Sequence, residues 1–160
     1  MNHINQQDLD EIKTDVERAF KAAIFSTDYC ILRIIIDTSK ESRSAYEKQD
    51  YQSMLYSVNK GFWDIGICID RKLKNYSSVT PEFFDDISSN IKNQLKTEQN
   101  IAFSSENLKR CLKIVNLTNE PWFEVVARQF SWQSFADALD QSNSFDELKA
   151  FLAENEPCNF

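Results

Sequence analysis

The chain has 160 residues, with 25 acidic against 18 basic side chains and a formal net charge of −7. Glycine occurs twice and histidine once, which argues against a glycine-rich phosphate loop, a dinucleotide fingerprint, a Ser-His-Asp triad or a histidine-rich metal site. No cofactor or metal is therefore expected. A content of 42% apolar and 12% aromatic residues gives a chain of this length enough buried surface for one domain, drawn at residues 1–156 with 157–160 as a tail.

The first residues are polar and acidic, with no basic region and no apolar core of a secretory signal. The longest apolar run, 29–36, is broken by Arg33 and too short to span a bilayer. A cytoplasmic location without membrane contact is the expectation. The four cysteines are spaced 38, 43 and 47 residues apart, so they form no zinc motif and read as three small core residues and one tail thiol.

In chain order, Leu9, Ile12, Val16, Phe20 and Ala23 recur at three and four residues and predict a helix over 6–25, capped by Asn5. Ser26-Thr27-Asp28 interrupts it. Residues 29–36 are β-branched enough for a strand, and 63–69 alternate as a partner strand would. The second stretch also fits a helix from Tyr51 to Tyr76 through seven steps of three or four residues, against three steps of alternation. The longer pattern favours helix, with a small two-stranded sheet from 30–36 and 63–69 as the alternative. Asn59-Lys60-Gly61 is a candidate break in that helix.

Later starts are sharper. Thr80-Pro81-Glu82 offers a capping hydroxyl, proline in the first turn and an acid. Ser104 or Ser105, Asn119, and Ser131 or Ser134 are further caps. Ser144 with Glu147 reads as a capping box. The sum is an all-α, single-domain bundle of seven or eight short to medium helices.

The charge is uneven. Residues 1–80 hold 12 acids and 11 bases, and 81–160 hold 13 and 7. Within 120–156, eight acids face only Arg128 and Lys149. That stretch also carries Trp122, Phe123 and Trp132, more apolar surface than one face of a short helix needs. An acidic field repels nucleic acid and attracts basic proteins, and aromatics dominate interface hot spots. The expected partner surface is Glu120, Trp122, Phe123, Glu124, Trp132, Asp137, Asp140, Asp146 and Glu147. Whether the 120–130 helix is buried all round or partly exposed is open at this point, as is the oligomeric state.

Catalytic groupings are sparse. Asp85-Asp86 and Asp146-Glu147 are neighbours in sequence near helix starts, where the macrodipole favours acids and adjacent side chains diverge. Asp64, Asp70 and Lys72 would suit a metal-dependent nuclease only if 63–70 were a strand with both aspartates on one face. No enzyme activity is expected.

In size, acidity and helicity the chain resembles the small acidic immunity proteins of bacterial contact-dependent growth-inhibition systems. That resemblance carries no motif, so no family residue transfers. It implies an inhibitor that neutralises a basic toxin domain, nucleases included, with acids such as Glu124, Asp137 and Asp140 opposing its lysines and arginines. The alternatives are the nuclease with Asp64, Asp70 and Lys72, or a helical regulatory adaptor.

Overall fold

The computed structural model describes residues 5–24, 27–75, 82–95 and 101–160. Among the described residues the protein is all-helical: α1 (Gln6–Ile24), α2 (Thr27–Glu47), α3 (Tyr51–Asn75), α4 (Phe83–Leu95), a 3-10 turn (Ile101–Phe103), α5 (Ser105–Leu117), α6 (Glu120–Val126), α7 (Trp132–Gln141) and α8 (Phe145–Ala153). No strand occurs among them.

The two-stranded sheet is thus replaced by the α2–α3 helix pair. The helix penalty of β-branched residues is only a few tenths of a kcal/mol each. Burying Ile31, Ile65 and Ile69 outweighs it, at about 1.5–3 kcal/mol for a fully buried aliphatic side chain. The turn between the helices is tight. Gln49 takes a left-handed backbone with φ 59°, which lets its N–H reach the Tyr46 carbonyl and the Asp50 N–H reach that of Ala45, both at 2.9 Å. Asp50 then caps α3 by accepting from the Ser53 N–H at 3.1 Å.

α3 runs unbroken through Asn59-Lys60-Gly61, where a break was a candidate. Gly61 is there for contact: a Cβ at that position would lie 2.6 Å from Thr38 Oγ1 on α2. Gly66 does the same on the other side, since its Cβ would meet the Cys111 carbonyl oxygen of α5 at 2.1 Å. α3 is therefore clamped between α2 and α5 at two points without side chains.

Two apolar clusters flank α3. Ile65 and Ile69 pack with Ile31, Ile87, Ile91 and Leu108. Trp63 packs with Phe123, Phe135, Leu139 and Leu148 from α6, α7 and α8. Asn59 is fully buried between α3 and the end of α6, where its Nδ2 donates to the Ala127 carbonyl at 3.0 Å and the Phe130 carbonyl at 2.8 Å. Those carbonyls belong to the turn after α6, which ends at Val126 and not near 130.

Four predicted caps are in place: Asn5, Ser104, Asn119 and Ser144 accept from Asp8, Asn107, Trp122 and Glu147 N–H groups. Ser131 rather than Ser134 caps α7, and Ser104 rather than Ser105 caps α5. The capping box is shifted: Glu147 accepts from the Asn143 N–H at 2.8 Å rather than from Ser144. The Thr80-Pro81 start and Ser26 lie outside the described residues. Beyond α8 the chain lies back on the body, with the Cys158 N–H donating to the Gln129 carbonyl at 2.7 Å and Phe160 stacked on Tyr51.

Candidate functional site

The nine residues expected to face a partner fall into three environments. The aromatics are structural. Phe123 is fully buried, stacked on Trp63 with ring centroids 4.6 Å apart, so it anchors α6 and cannot touch a partner. Trp132 stacks on Phe62 at 4.5 Å and donates its Nε1–H to Asn107 Oδ1 at 2.7 Å. Trp122 is half-buried, edge-on to Phe145 at 5.1 Å. The 120–130 segment is thus neither buried all round nor an exposed aromatic patch: Phe123, Ala127 and Phe130 point inward, while Val125 points to solvent.

Glu120 and Glu124 belong to a mixed-charge cluster joining α3 to α6. Lys60 Nζ lies 3.3 Å from Glu120, 3.7 Å from Glu124 and 3.5 Å from Asp64. Burial works against the Lys60 ammonium, but the three carboxylates outweigh it and hold its pKa above the ordinary lysine value. Partial burial raises the Asp64 carboxyl despite that lysine. The Tyr56 hydroxyl donates to Glu124, and the Arg128 guanidinium sits over the Tyr56 ring at 3.9 Å. Burial and the Glu124 bond together push the Tyr56 hydroxyl's pKa up. These acids are compensated locally by Lys60, 60 or more residues away in sequence, and by Arg128 in the turn after α6.

The third environment is the outer side of α7 and α8. Asp137, Asp140, Gln141, Phe151, Glu154 and Asn155 line an open hollow of about 480 Å³. Arg110 of α5 fixes one edge, with Nε and Nη2 each 2.8 Å from the two Asp140 carboxylate oxygens. That bidentate bond holds the Asp140 carboxyl below the usual aspartate range. Lys113 donates to the Leu139 carbonyl behind it. Asp137 takes an uncharged donor, Gln133 Nε2, at 2.8 Å. Asp146, whose side chain is 94% exposed, pairs with Lys149 at 3.3 Å one turn away, and Glu147 is spent on its cap.

Of the eight acids in 120–156, Asp137, Glu147, Glu154 and Glu156 have no ion pair among the described residues. Asp137 and Glu154 line the same hollow. Glu154, Phe151 and Arg110 are the residues that sequence reasoning missed. Glu154 lay in the charge count, but nothing in its spacing from Asp137 tells that α8 folds back beside α7.

The nuclease arrangement loses its premise. Residues 63–70 are helical, so Asp64 and Asp70 point about 120° apart around the axis. Asp64 faces Lys60 and Asp70 faces Lys74 at 2.8 Å, while Lys72 lies over the Phe83 ring. Among the described residues, no three His, Cys, Asp or Glu side chains are placed to share a metal ion. Nor is any described helix long and apolar enough to cross a membrane. The chain matches no protein-family model, no curated protein and no solved structure.

Proposed function

We propose that this protein is a protein-binding inhibitor, an immunity protein that neutralises a basic toxin domain in the cytoplasm by seating it on the α7–α8 hollow. The observation that carries the reading is that Asp137, Glu154 and Phe151 line one open hollow and that neither carboxylate makes an ion pair among the described residues. A lysine or arginine of a partner would find two carboxylates for its charge and a ring for its stem. Asp140 is already held by Arg110, so it shapes the hollow and contributes a diminished share of the attraction. A partner whose nucleic-acid groove is basic would be blocked by covering that groove, because phosphate contacts dominate its affinity. Direct nucleic-acid binding by this chain is not part of the proposal.

The test takes as ligand a basic protein found encoded beside this chain's gene, in surface-binding kinetics against wild type and the double reversal Asp137→Lys with Glu154→Lys. Both side chains are exposed, so the fold should survive, which circular dichroism checks. We expect dissociation to speed up by about tenfold or more and the salt dependence of association to shrink. Unchanged kinetics would remove the hollow from the interface. A neighbouring basic protein that does not bind at all would remove the inhibitor reading.

A further inference from the structure

A second surface lies away from the hollow, and what it implies stands independently of the inhibitor reading. Leu9, Ile12 and Val16 of α1 recur at three and four residues, so they form one stripe, and they are 47%, 53% and 59% exposed. Asp8, Glu11 and Asp15 repeat the same spacing one residue earlier, which lays an acidic edge along that stripe. Most of the stability of a helix in a protein comes from packing its amphipathic face rather than from propensity.

The outer side of α2 is the converse. Ile36 is 45% exposed, and Lys40 and Arg43 follow it at four and three residues on the same face. A hollow of about 410 Å³ beside them is lined by Ile35, Ile36 and Leu95, by Lys40 and Arg43, and by one acid, Glu47. No ion pair among the described residues engages Lys40 or Arg43.

We propose that the protein self-associates through these two faces, α1 of one copy lying along α2 of a second. The apolar stripe of α1 covers Ile35, Ile36 and Leu95, and its acidic edge meets Lys40 and Arg43. Charge complementarity selects the second copy as occupant: in a chain of net charge −7, this apolar receptor carries two bases against one acid and is matched to an acidic apolar ligand. The lengths agree as well, since Leu9 to Val16 and Ile36 to Arg43 each span roughly 10 Å of helix. A two-fold axis lets each copy give one helix and receive one, so both faces are buried twice.

The test is sedimentation of the full chain from about 1 to about 300 μM, with two charge-reversed forms. One carries Glu11→Lys with Asp15→Lys, and the other Lys40→Glu with Arg43→Glu. All four positions are exposed, and circular dichroism checks that each form folds. Wild type should dimerise with concentration, and each form alone should dimerise at least about tenfold more weakly. Their equimolar mixture should recover a heterodimer, because a basic α1 then meets an acidic α2 and the reverse. A wild type that stays monomeric throughout, which is also the result if α1 folds onto its own chain, would overturn the proposal. So would reversed forms that dimerise like wild type, or a mixture no better than its parts.

Discussion

Arg110 of α5 grips Asp140 of α7 through two parallel hydrogen bonds of 2.8 Å, across 30 residues of sequence. The pair fixes where α7 lies against α5 and removes one acid from the free charge of the α7–α8 surface. Because the folded state holds the Asp140 carboxyl below its unfolded value, its stabilisation is present above the unfolded pKa and is lost as pH falls through the folded one. Both partners are partly exposed, so the pair contributes at most about 1 kcal/mol at neutral pH. Arg110→Ala should lower stability at pH 7 and leave it unchanged near about pH 2. It should also raise the Asp140 titration midpoint toward ordinary aspartate, read by carboxyl NMR. A midpoint unmoved by the substitution would show that the pair is not formed in solution.

The two glycines of α3 differ in what an added methyl would meet, side chain at Gly61 and backbone at Gly66. Gly66→Ala drives a methyl into the Cys111 backbone carbonyl at 2.1 Å, and backbone cannot step aside. Overpacking of this kind costs about 1–3 kcal/mol or more. At Gly61 the three nearest atoms to an added methyl all belong to the Thr38 side chain, and alanine gains about 1 kcal/mol of helix propensity over glycine. Thr38→Ala removes the two closest of those atoms and leaves its Cβ 3.2 Å away, so Gly61→Ala should cost less in that background than in wild type, whereas no single trimming at Cys111 should rescue Gly66→Ala. Urea denaturation of Gly66→Ala, Gly61→Ala, Thr38→Ala and the Thr38→Ala/Gly61→Ala double variant checks the ordering.

Asn59 is the only buried side chain that reaches from α3 to the turn closing α6 among the described hydrogen bonds. Asn59→Ala strands the Ala127 and Phe130 carbonyls, at about 1–3 kcal/mol for each buried group left unpaired. Asn59→Asp should be worse, because it removes both donors and buries a charge. Its own Oδ1 has no hydrogen-bond partner, so Asn59 is already under-satisfied and its Nδ2 bonds carry its contribution. Equal stability of wild type and Asn59→Ala would refute this role.

Gln49 holds a left-handed backbone that costs a side-chain-bearing residue about 1–2 kcal/mol. Gln49→Gly should raise the midpoint of thermal unfolding without altering the helical signal. A lower midpoint would mean that the Gln49 side chain makes a contribution larger than the backbone relief.

Thiol labelling should sort the cysteines by environment. Burial pushes the Cys68 thiol up to about 11 and raises Cys111, which is fully buried, further still. Cys158, partly exposed in the C-terminal segment, should react with a disulfide reagent at pH 8 well before either, since the thiolate is the attacking species. Fast labelling of Cys111 in the native state would indicate that the α3–α5 contact opens.

The sequence by itself determined the helical class, most helix starts and the concentration of acid after residue 120. Those features rest on interactions within four residues: a cap at Asn119 or Ser144 is a bond to the residue three positions on, and an apolar stripe is a spacing. The contest at 63–69 was also legible, because the helical period persisted longer than the alternation. Only the tertiary structure decided which acids stay free and which aromatics are accessible. Glu120 meets Lys60 across 60 residues and Asp140 meets Arg110 across 30, while Phe123 disappears under Trp63. Charge neutralisation and burial depend on which helices fold side by side. That is set by close approaches such as Gly66 against Cys111, which leave no periodic trace in the chain.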